Sequence, residues 1–232
     1  MLKPITPESA DRICCLVIGK PGIGKTSLIR TIPPEEKVCV LSAEAGLLCV
    51  RDLVKAGKVE GYEIGSLEDF KEAFQMLSTN QEMIDRYKWI FIDSLTEIAA
   101  RCEEVMQEKY PDSSKAFRMW GDYTNTMIML IKGFRDLQQY NVVFTCLETI
   151  DKDENNRRYT APAVAGKGLK EKTPSFFDEV FYMQTLPDEQ GEQRRVMFSQ
   201  PYNEYPAKDR SGKLEPVEAP DLTKIKNKIL ED

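Results

Sequence analysis

The run GKPGIGKTS, at residues 19–27, decides the fold of this chain. It fits the pattern G-x-x-x-x-G-K-[ST] at every fixed position, namely Gly19, Gly24, Lys25 and Thr26. The apolar run RICCLVI precedes it and predicts a buried strand, while TSLIRTI follows and predicts a helix that two prolines end. A glycine loop between a strand and a helix is the context in which this pattern holds phosphate.

The residue types of the loop suit a bound triphosphate. Glycines allow backbone angles that turn successive N–H groups toward phosphate oxygens, and the following helix adds its positive N-terminal end. The Lys25 ammonium would contact the β- and γ-phosphates, and the Thr26 hydroxyl would ligate Mg²⁺. The predicted nucleotide contacts in the loop are Gly19, Pro21, Gly22, Ile23, Gly24, Lys25, Thr26 and Ser27.

A magnesium site needs a second, acidic anchor, and the run WIFIDS supplies one. Four apolar residues predict a strand over 89–93, and Asp93 stands where that strand leaves the core. Its carboxylate would help to hold the metal, as in a Walker B strand. The alternative interpretation is an aspartate that makes a turn or caps a helix.

Three glutamates are candidates for orienting or deprotonating the attacking water. Glu44 and Glu148 each follow a predicted strand, and the carboxyl ends of parallel strands line the ligand crevice. Glu148 could also contact the γ-phosphate. Glu97 lies about one helical turn after Asp93, so we expect it to point elsewhere. Each of the three could instead be a solvated loop carboxylate.

The rest of the chain predicts an α/β fold. Short apolar runs at 12–18, 37–42, 89–93 and 141–147 alternate with helical patterns, which is typical of parallel βαβ units. The last of these helices is predicted over 116–139, with Trp120 on its inward face. Residues 151–175 show no clean period and predict a long loop. Two strands follow as a hairpin or meander around PDEQGE, and residues 219–232 predict a short helix or a loose tail.

Composition excludes several classes of protein. The 232 residues contain no histidine, which rules out a Ser-His-Asp triad and a histidine-ligated zinc site. A net charge of −6 excludes a globally basic nucleic-acid binder. Six cysteines without a CxxC pair favour free thiols in a reducing compartment. Residues 1–12 lack the features of a signal peptide, and no apolar run approaches ~18–20 residues, so we expect a cytoplasmic protein with no membrane partner.

The order of these motifs resembles the RecA-type ATPase core. More narrowly, LSAEAGL at 41–47, FIDSLTEI at 91–98, the segment 166–183 and AKDR at 207–210 look like the small phage ATP-binding proteins of the Sak group. The resemblance implies a RecA-like P-loop NTPase core over residues 1–215, with a mostly parallel central sheet, flanking helices and a C-terminal β-hairpin extension. Residues 216–232 would form a tail or short helix. ATP and Mg²⁺ would be the cofactors.

The same resemblance implies roles for individual residues. Glu44 occupies the place of the catalytic glutamate. Lys208 and Arg210 match a K-x-R pair that such proteins insert into a neighbouring subunit's ATP site, which implies a homo-oligomer, either ring or filament. Relatives often carry a polar residue such as histidine near the end of the fourth strand, where this chain has TCLET, so Glu148 or Thr145 would sense the γ-phosphate instead.

Single-stranded DNA is the partner that the resemblance implies. The chain would act in strand annealing and recombination beside a single-stranded-DNA-binding protein. If a phage encodes the chain, this would take place in the host cytoplasm. DNA would lie along loops after the third and fourth strands. Near the loop after the third strand, Lys115 and Arg118 are basic, while Trp120 is more typical of a core residue. In the second, the predicted DNA contacts are Arg157, Arg158, Tyr159, Lys167, Lys170 and Lys172. The alternative interpretation of this basic cluster is solvated surface.

Two other functions stay open at this point. One is a KaiC-like regulatory or partner-remodelling ATPase without direct DNA binding. The other is a nucleotide-binding module that barely turns over.

Overall fold

The computed structural model describes residues 11–44 and 46–231. The expectation about a signal peptide falls on residues 1–12 and so lies almost wholly outside the described residues. The described part of the chain contains ten strands, which are β1 (Cys14–Gly19), β2 (Val38–Ser42), β3 (Val59–Glu63), β4 (Trp89–Asp93), β5 (Asn141–Lys152), β6 (Arg158–Pro162), β7 (Glu179–Pro187), β8 (Gln193–Phe198), β9 (Lys208–Asp209) and β10 (Val217–Glu218).

Six neighbouring strands run parallel, in the order β7-β1-β5-β4-β2-β3. β8 pairs antiparallel with β7 and β10 pairs antiparallel with β8, while β9 also pairs antiparallel with β7. β6 pairs with the C-terminal half of β5. The carboxyl ends of the six parallel strands therefore meet at one edge of the sheet, where ligands bind in open α/β folds.

Helices cover both faces of this sheet. Those that the structure describes are α1 (Arg51–Lys55), α2 (Leu67–Thr79), α3 (Gln81–Arg86), α4 (Leu95–Lys109), α5 (Ala116–Arg135), α6 (Lys167–Lys172) and α7 (Leu222–Leu230). None of these helices has the length and apolar character to cross a membrane.

The core has two layers because neighbouring residues of a strand face opposite sides of the sheet. Leu16 and Ile18 of β1 pack in the layer that contains apolar residues of α2, α4 and α5. Cys15 and Val17 pack in the other layer, which contains residues of α7 and of the 3₁₀ helix Thr26–Thr31. All six cysteines lie in the described residues and are free, as predicted, and only Cys49 among them is exposed.

The helix predicted after the glycine loop is the 3₁₀ helix Thr26–Thr31. It ends at Ile32, whose extended backbone (φ −76°, ψ 138°) is the conformation that a following proline favours. The C-terminal helix α7 packs on this end, since the Leu222 amide donates a 3.0 Å hydrogen bond to Thr31 Oγ1. Lys226 of α7 also forms a 3.2 Å ion pair with Glu36.

The prediction of a long loop over residues 151–175 was wrong. β5 continues to Lys152, turns, and returns as β6, so residues 148–162 form a β-hairpin, and α6 follows. The Asp153 carboxylate accepts hydrogen bonds from the amides of Asn155 and Arg157, and Asn156 adopts a φ of 61°. Polar residues on both strands concealed the alternation of apolar and polar residues that would predict a strand. Asparagine and aspartate were the remaining signal, because they are typical of such a turn.

Four further details differ from prediction. α5 ends at Arg135 instead of continuing to 139, and Trp120 is 37% exposed instead of lying in the core. The edge strand β3 was missed because only Val59 in VEGYE is buried. The hairpin around PDEQGE is confirmed, but its first strand, β7, is part of the parallel sheet beside β1 and not an appendage to it.

Candidate nucleotide site

A cleft of ≈ 550 Å³ opens at the carboxyl ends of β1, β2 and β4. Its lining combines the glycine loop with acidic residues from the ends of β2 and β4 and from the first turn of α4. The residues that line it are Pro21, Gly22, Gly24, Lys25, Thr26, Ser27, Ala43, Glu44, Cys49, Asp93, Glu97 and Leu147. The structure therefore brings the predicted loop, Glu44 and Asp93 to one place.

The Lys25 side chain folds back over the loop that precedes it. Its ammonium donates hydrogen bonds to the carbonyl oxygens of Gly19 (2.9 Å) and Lys20 (3.0 Å), and the residue is only 8% exposed. Burial lowers the pKa of Lys25 below its ordinary value, while the negative charges of Glu44 and Asp93 oppose that shift. Within the part of the chain that the structure describes, no carboxylate contacts this cation directly, so it is available at the centre of the loop.

Asp93 is held from two sides at the end of β4. It is 4% exposed, and its Oδ2 accepts a 2.7 Å hydrogen bond from Thr26 Oγ1 while its Oδ1 accepts a 2.5 Å bond from Thr145 Oγ1. Thr145 lies on β5, next to β4 in the sheet. Its hydroxyl donates mainly to Asp93, with a longer 3.4 Å contact to the Ile92 carbonyl oxygen, so the structure places Thr145 as a support of that carboxylate.

The predicted metal ligands suit Mg²⁺. Thr26 supplies a hydroxyl and Asp93 a carboxylate, both oxygen donors of the kind that Mg²⁺ prefers, and the described residues contain no cluster of three or more carboxylate or thiol ligands. Mg²⁺ with this few protein ligands is typical of sites where nucleotide phosphates complete the coordination. When bound, the ion would neutralise charge on the β- and γ-phosphates.

Glu44 is an exposed carboxylate at the end of β2, and a neighbouring hydroxyl orients it. Ser94 Oγ donates a 2.6 Å hydrogen bond to Glu44 Oε1. The Ala43 and Glu44 amides both donate to the Asp93 carbonyl oxygen, at 2.7 and 3.3 Å. The ends of β2 and β4 are therefore tied together, which sets Glu44 beside the Thr26–Asp93 pair.

Glu97 lines the same cleft, which corrects the expectation that it would point elsewhere. It stands in the first turn of α4, and Thr96 beside it fixes that turn to β5 by accepting a 3.0 Å hydrogen bond from the Leu147 amide. Glu97 does lie in a helix about one turn after Asp93, as predicted. The direction in which α4 leaves β4 determines that this turn faces the cleft.

Glu148 lies on the other side of the glycine loop. Its Oε2 accepts a 2.8 Å hydrogen bond from Gln184 Nε2 of β7, across the end of β1. It borders a separate cavity of ≈ 620 Å³, which also contacts Lys20, Arg158 and Tyr205. Among the residues described, Glu148 is therefore not part of the lining of the main cleft.

Lys208 and Arg210 lie far from the cleft of their own chain. Val180 pairs with Lys208 near the start of β7, whereas Met183, further along the same strand, pairs with Gly19 of the loop. Lys208 donates to the Phe177 carbonyl (2.5 Å), and Arg210 forms a 2.6 Å ion pair with Asp178. Both cations face the amino end of the parallel strands.

The predicted DNA contacts are split between the new hairpin and α6. Arg157, Arg158, Lys167 and Lys172 are exposed, and Tyr159 is half-buried. Lys170 instead forms a 2.8 Å ion pair with Asp151 of the hairpin, so its charge is neutralised within the chain.

Sequence reasoning missed Ser94 and Gln184. Ser94 follows Asp93 directly, and a hydroxyl next to a strand-end carboxylate is a signal that could have been used. Gln184 gives no such signal, because its contact with Glu148 depends on β7 lying two strands away from β5 in the sheet.

A family model described as an AAA domain matches residues 11–211. The match begins just before β1 and extends past β9, so it includes the glycine loop, Glu44, Asp93 and the K-x-R pair. No curated protein matches this chain.

Proposed function

This chain belongs to the AAA domain family, and from that premise we propose that it is a Mg²⁺-dependent, RecA-like ATPase of a phage recombination system, which binds single-stranded DNA and promotes strand annealing. The family makes it a P-loop ATPase. The observation that carries the hydrolytic function is the 2.7 Å hydrogen bond from Thr26 to Asp93, which joins the glycine loop to the acidic strand end.

The glycine loop, Thr26, Glu44 and Asp93 have the chemical roles in this proposal. The loop amides and Lys25 bind the triphosphate, and Thr26 with Asp93 holds the metal. Glu44, which Ser94 orients, accepts a proton from the attacking water or orients it. Glu148 is bonded to Gln184 and borders a separate cavity, so we assign it no role in hydrolysis.

The proposed RecA-like assembly is supported by the position of the K-x-R pair. About four residues of β7 separate Glu179, beside Arg210, from Met183, beside the glycine loop, and a strand rises ~3.3 Å per residue. Both cations are also engaged near the start of β7, Lys208 by the Phe177 carbonyl and Arg210 by Asp178, so neither is directed at the nucleotide of its own chain. In a ring or filament, the same surface would face a neighbour's cleft and stabilise the charge that develops there.

Single-stranded DNA binding is supported by aromatic and basic side chains that the fold exposes together. Phe117 is 94% exposed and Trp120 37% exposed at the start of α5. The Trp120 ring packs beside Gly166, the residue before α6, where Lys167 is exposed. Stacking faces beside cations are the usual means by which proteins hold single strands without sequence preference.

The hairpin is less basic than the sequence prediction assumed. Asp151 and Asp153 lie on it with Arg157 and Arg158, and Asp151 neutralises Lys170. We therefore place the proposed strand contacts mainly on Phe117, Arg157, Arg158 and two exposed lysines of α6, Lys172 and Lys167, the second of which also lies 3.7 Å from Glu171. A separate single-stranded-DNA-binding protein would supply further contacts.

Fluorescence anisotropy with a labelled oligonucleotide tests the DNA proposal. At low salt, with ATP and Mg²⁺, the wild-type chain should bind, and Phe117→Ala should weaken binding about 10-fold, in the range of one stacked base. The double change Arg157→Ala, Arg158→Ala should reduce the salt dependence of binding. Lys224→Ala, an exposed change on α7, serves as control.

ATP hydrolysis without detectable DNA binding at low salt would overturn the DNA proposal. That result would favour a KaiC-like regulatory ATPase. ATP binding without measurable hydrolysis under any of these conditions would instead indicate a nucleotide-binding module.

A further inference from the structure

Arg195 of β8 lies against the glycine loop. β8 pairs with β7 so that Arg195 is opposite Thr185, and β7 places Met183 beside Gly19 at the start of the loop. A Cβ atom built on Gly24 would collide with Nη1 of Arg195 and lie 3.4 Å from its Cζ. The guanidinium is thus in contact with the backbone of the residue before Lys25.

This arginine has no partner for its charge within residues 11–44 and 46–231. No side-chain hydrogen bond or ion pair there involves its guanidinium, and the residue is exposed. Arg194, the preceding residue, does form an ion pair, with Asp188 of the hairpin turn. Because neighbouring residues of a strand face opposite sides, the two arginines of β8 have separate surroundings.

We infer that Arg195 binds the phosphates of the nucleotide from within the same chain, as a second cation beside Lys25. This inference rests on the proposed function. A guanidinium stays charged at all working pH values and matches phosphate oxygens with two parallel donors. Arg195 does not line the ≈ 550 Å³ cleft, but its guanidinium touches Gly24, and rotation of the side chain from there would bring those donors to the phosphates.

Gly24 has two reasons to be a glycine in this arrangement. Its φ of +104° is strained for any other residue, and a side chain would occupy the space of the Arg195 guanidinium. The backbone angle follows from the glycine-loop pattern itself, whereas the contact with Arg195 follows from the place of β8 in the fold.

Arg195 differs in role from Arg210. Arg210 lies at the amino end of β7 and can serve only another chain's nucleotide, whereas Arg195 is already at the loop of its own chain. The inference therefore predicts that Arg195 contributes to ATP affinity in an isolated subunit, before any assembly.

Isothermal titration calorimetry of the full chain with ATP and Mg²⁺, at a protein concentration where it is monomeric, tests this. Arg195→Ala should weaken ATP binding about 10- to 100-fold, the range for a hydrogen bond between charged groups. Arg195→Lys should recover part of the loss, and the salt dependence of binding should be shallower for Arg195→Ala. Arg194→Ala is the matched control and should change affinity less than 2-fold.

The outcomes separate this inference from the proposed function. If wild type binds ATP and Arg195→Ala binds it equally well, the inference is overturned while the ATPase proposal stands. If Arg194→Ala weakens binding as much as Arg195→Ala, or Arg195→Lys recovers nothing, the role is structural and the inference is again overturned. If wild type binds no ATP, the proposed function itself fails.

Discussion

The hydroxyl of Thr26 donates a 2.7 Å hydrogen bond to Oδ2 of Asp93, a residue 67 positions later in the chain. The bond connects the glycine loop after β1 to the end of β4, although β5 lies between these strands in the sheet. Thr145 of β5 completes the bridge by donating to the other oxygen of the same carboxylate. Residues on or directly after three strands thus set the position of one buried carboxylate.

Thr145→Val tests the importance of this bridge. The change preserves shape but removes the donor to Asp93 Oδ1, which leaves a buried carboxylate oxygen with one partner fewer. We expect the Mg²⁺ concentration needed for half-maximal ATP hydrolysis to rise several-fold and the maximal rate to fall about 10-fold. Thr145→Ser, which keeps the hydroxyl, should behave nearly as wild type, and equal effects of the two changes would contradict the assigned support.

Glu44→Gln and Glu97→Gln distinguish the two glutamates of the cleft. Glu44 has an orienting donor in Ser94, so its change should lower kcat about 10²- to 10⁴-fold, the usual contribution of a general base, with ATP affinity preserved. Glu97→Gln should change kcat less than 3-fold. Single-turnover hydrolysis with calorimetric ATP binding measures both, and the reverse pattern would transfer the role to Glu97.

The parts of the site that follow strand ends could be predicted from the sequence. The glycine loop, Glu44 and Asp93 each come directly after a short apolar run, and parallel strands bring such residues to one edge of the sheet. The place of Glu97 could not be predicted in this way, because it depends on the direction of α4 after β4. Arg195 was missed because its contact with Gly24 depends on β8 lying beside β7.

The strands of the fold also differ in how far the sequence predicts them. The buried strands β1, β2, β4 and β5 were predicted because each has a continuous apolar run. The hairpin at 148–162 was missed because no residue of its first strand, 148–152, is buried and the buried residues of β6, 160–162, are consecutive, so neither strand shows an alternating hydrophobic pattern. Local turn chemistry at Asp153 and Asn156 was the signal that remained.

A mixing experiment tests the proposed role of Arg210 in a neighbouring site. Arg210→Ala alone should bind ATP normally but hydrolyse it ~10³-fold or more slowly, as expected for loss of an arginine supplied by another subunit. Lys25→Ala should also be inactive, because its own loop lacks the ammonium. Mixed together, the two variants should regain part of the wild-type rate, since Lys25→Ala subunits supply Arg210 to intact loops.

Lys208→Ala should resemble Arg210→Ala in this assay, and Lys224→Ala, an exposed lysine of α7, should match wild type. Absence of any recovery on mixing, with both variants shown to assemble, would exclude a role in trans. A wild-type rate for Arg210→Ala alone would remove the residue from hydrolysis altogether.

The carboxyl group of Glu179, which contacts Arg210, should make the stability of the folded chain depend on pH. It is 2% exposed on β7, opposite Asp209 of β9, and its Oε2 accepts a hydrogen bond from the Arg210 amide. Burial, with the hydrogen bond and negative charge of Asp209, raises the pKa of Glu179 to about 8. Burial also acts to raise the pKa of Asp209, but hydrogen bonds from Ser211 and the Leu214 amide hold it below its ordinary value.

The folded chain therefore retains a proton on Glu179 between pH ~4.5 and about 8, where the unfolded chain has lost it. Since the folded state binds more protons in this window, its free energy of unfolding should fall as pH rises, by at most ~1.4 kcal/mol per pH unit from this group. Glu179→Gln mimics the protonated form, so its stability should fall less between pH 5.5 and 8 than that of wild type. Urea unfolding at both pH values measures this, with the exposed change Glu72→Gln as control. Parallel pH dependences of wild type and Glu179→Gln would show that Glu179 is ionised throughout the window.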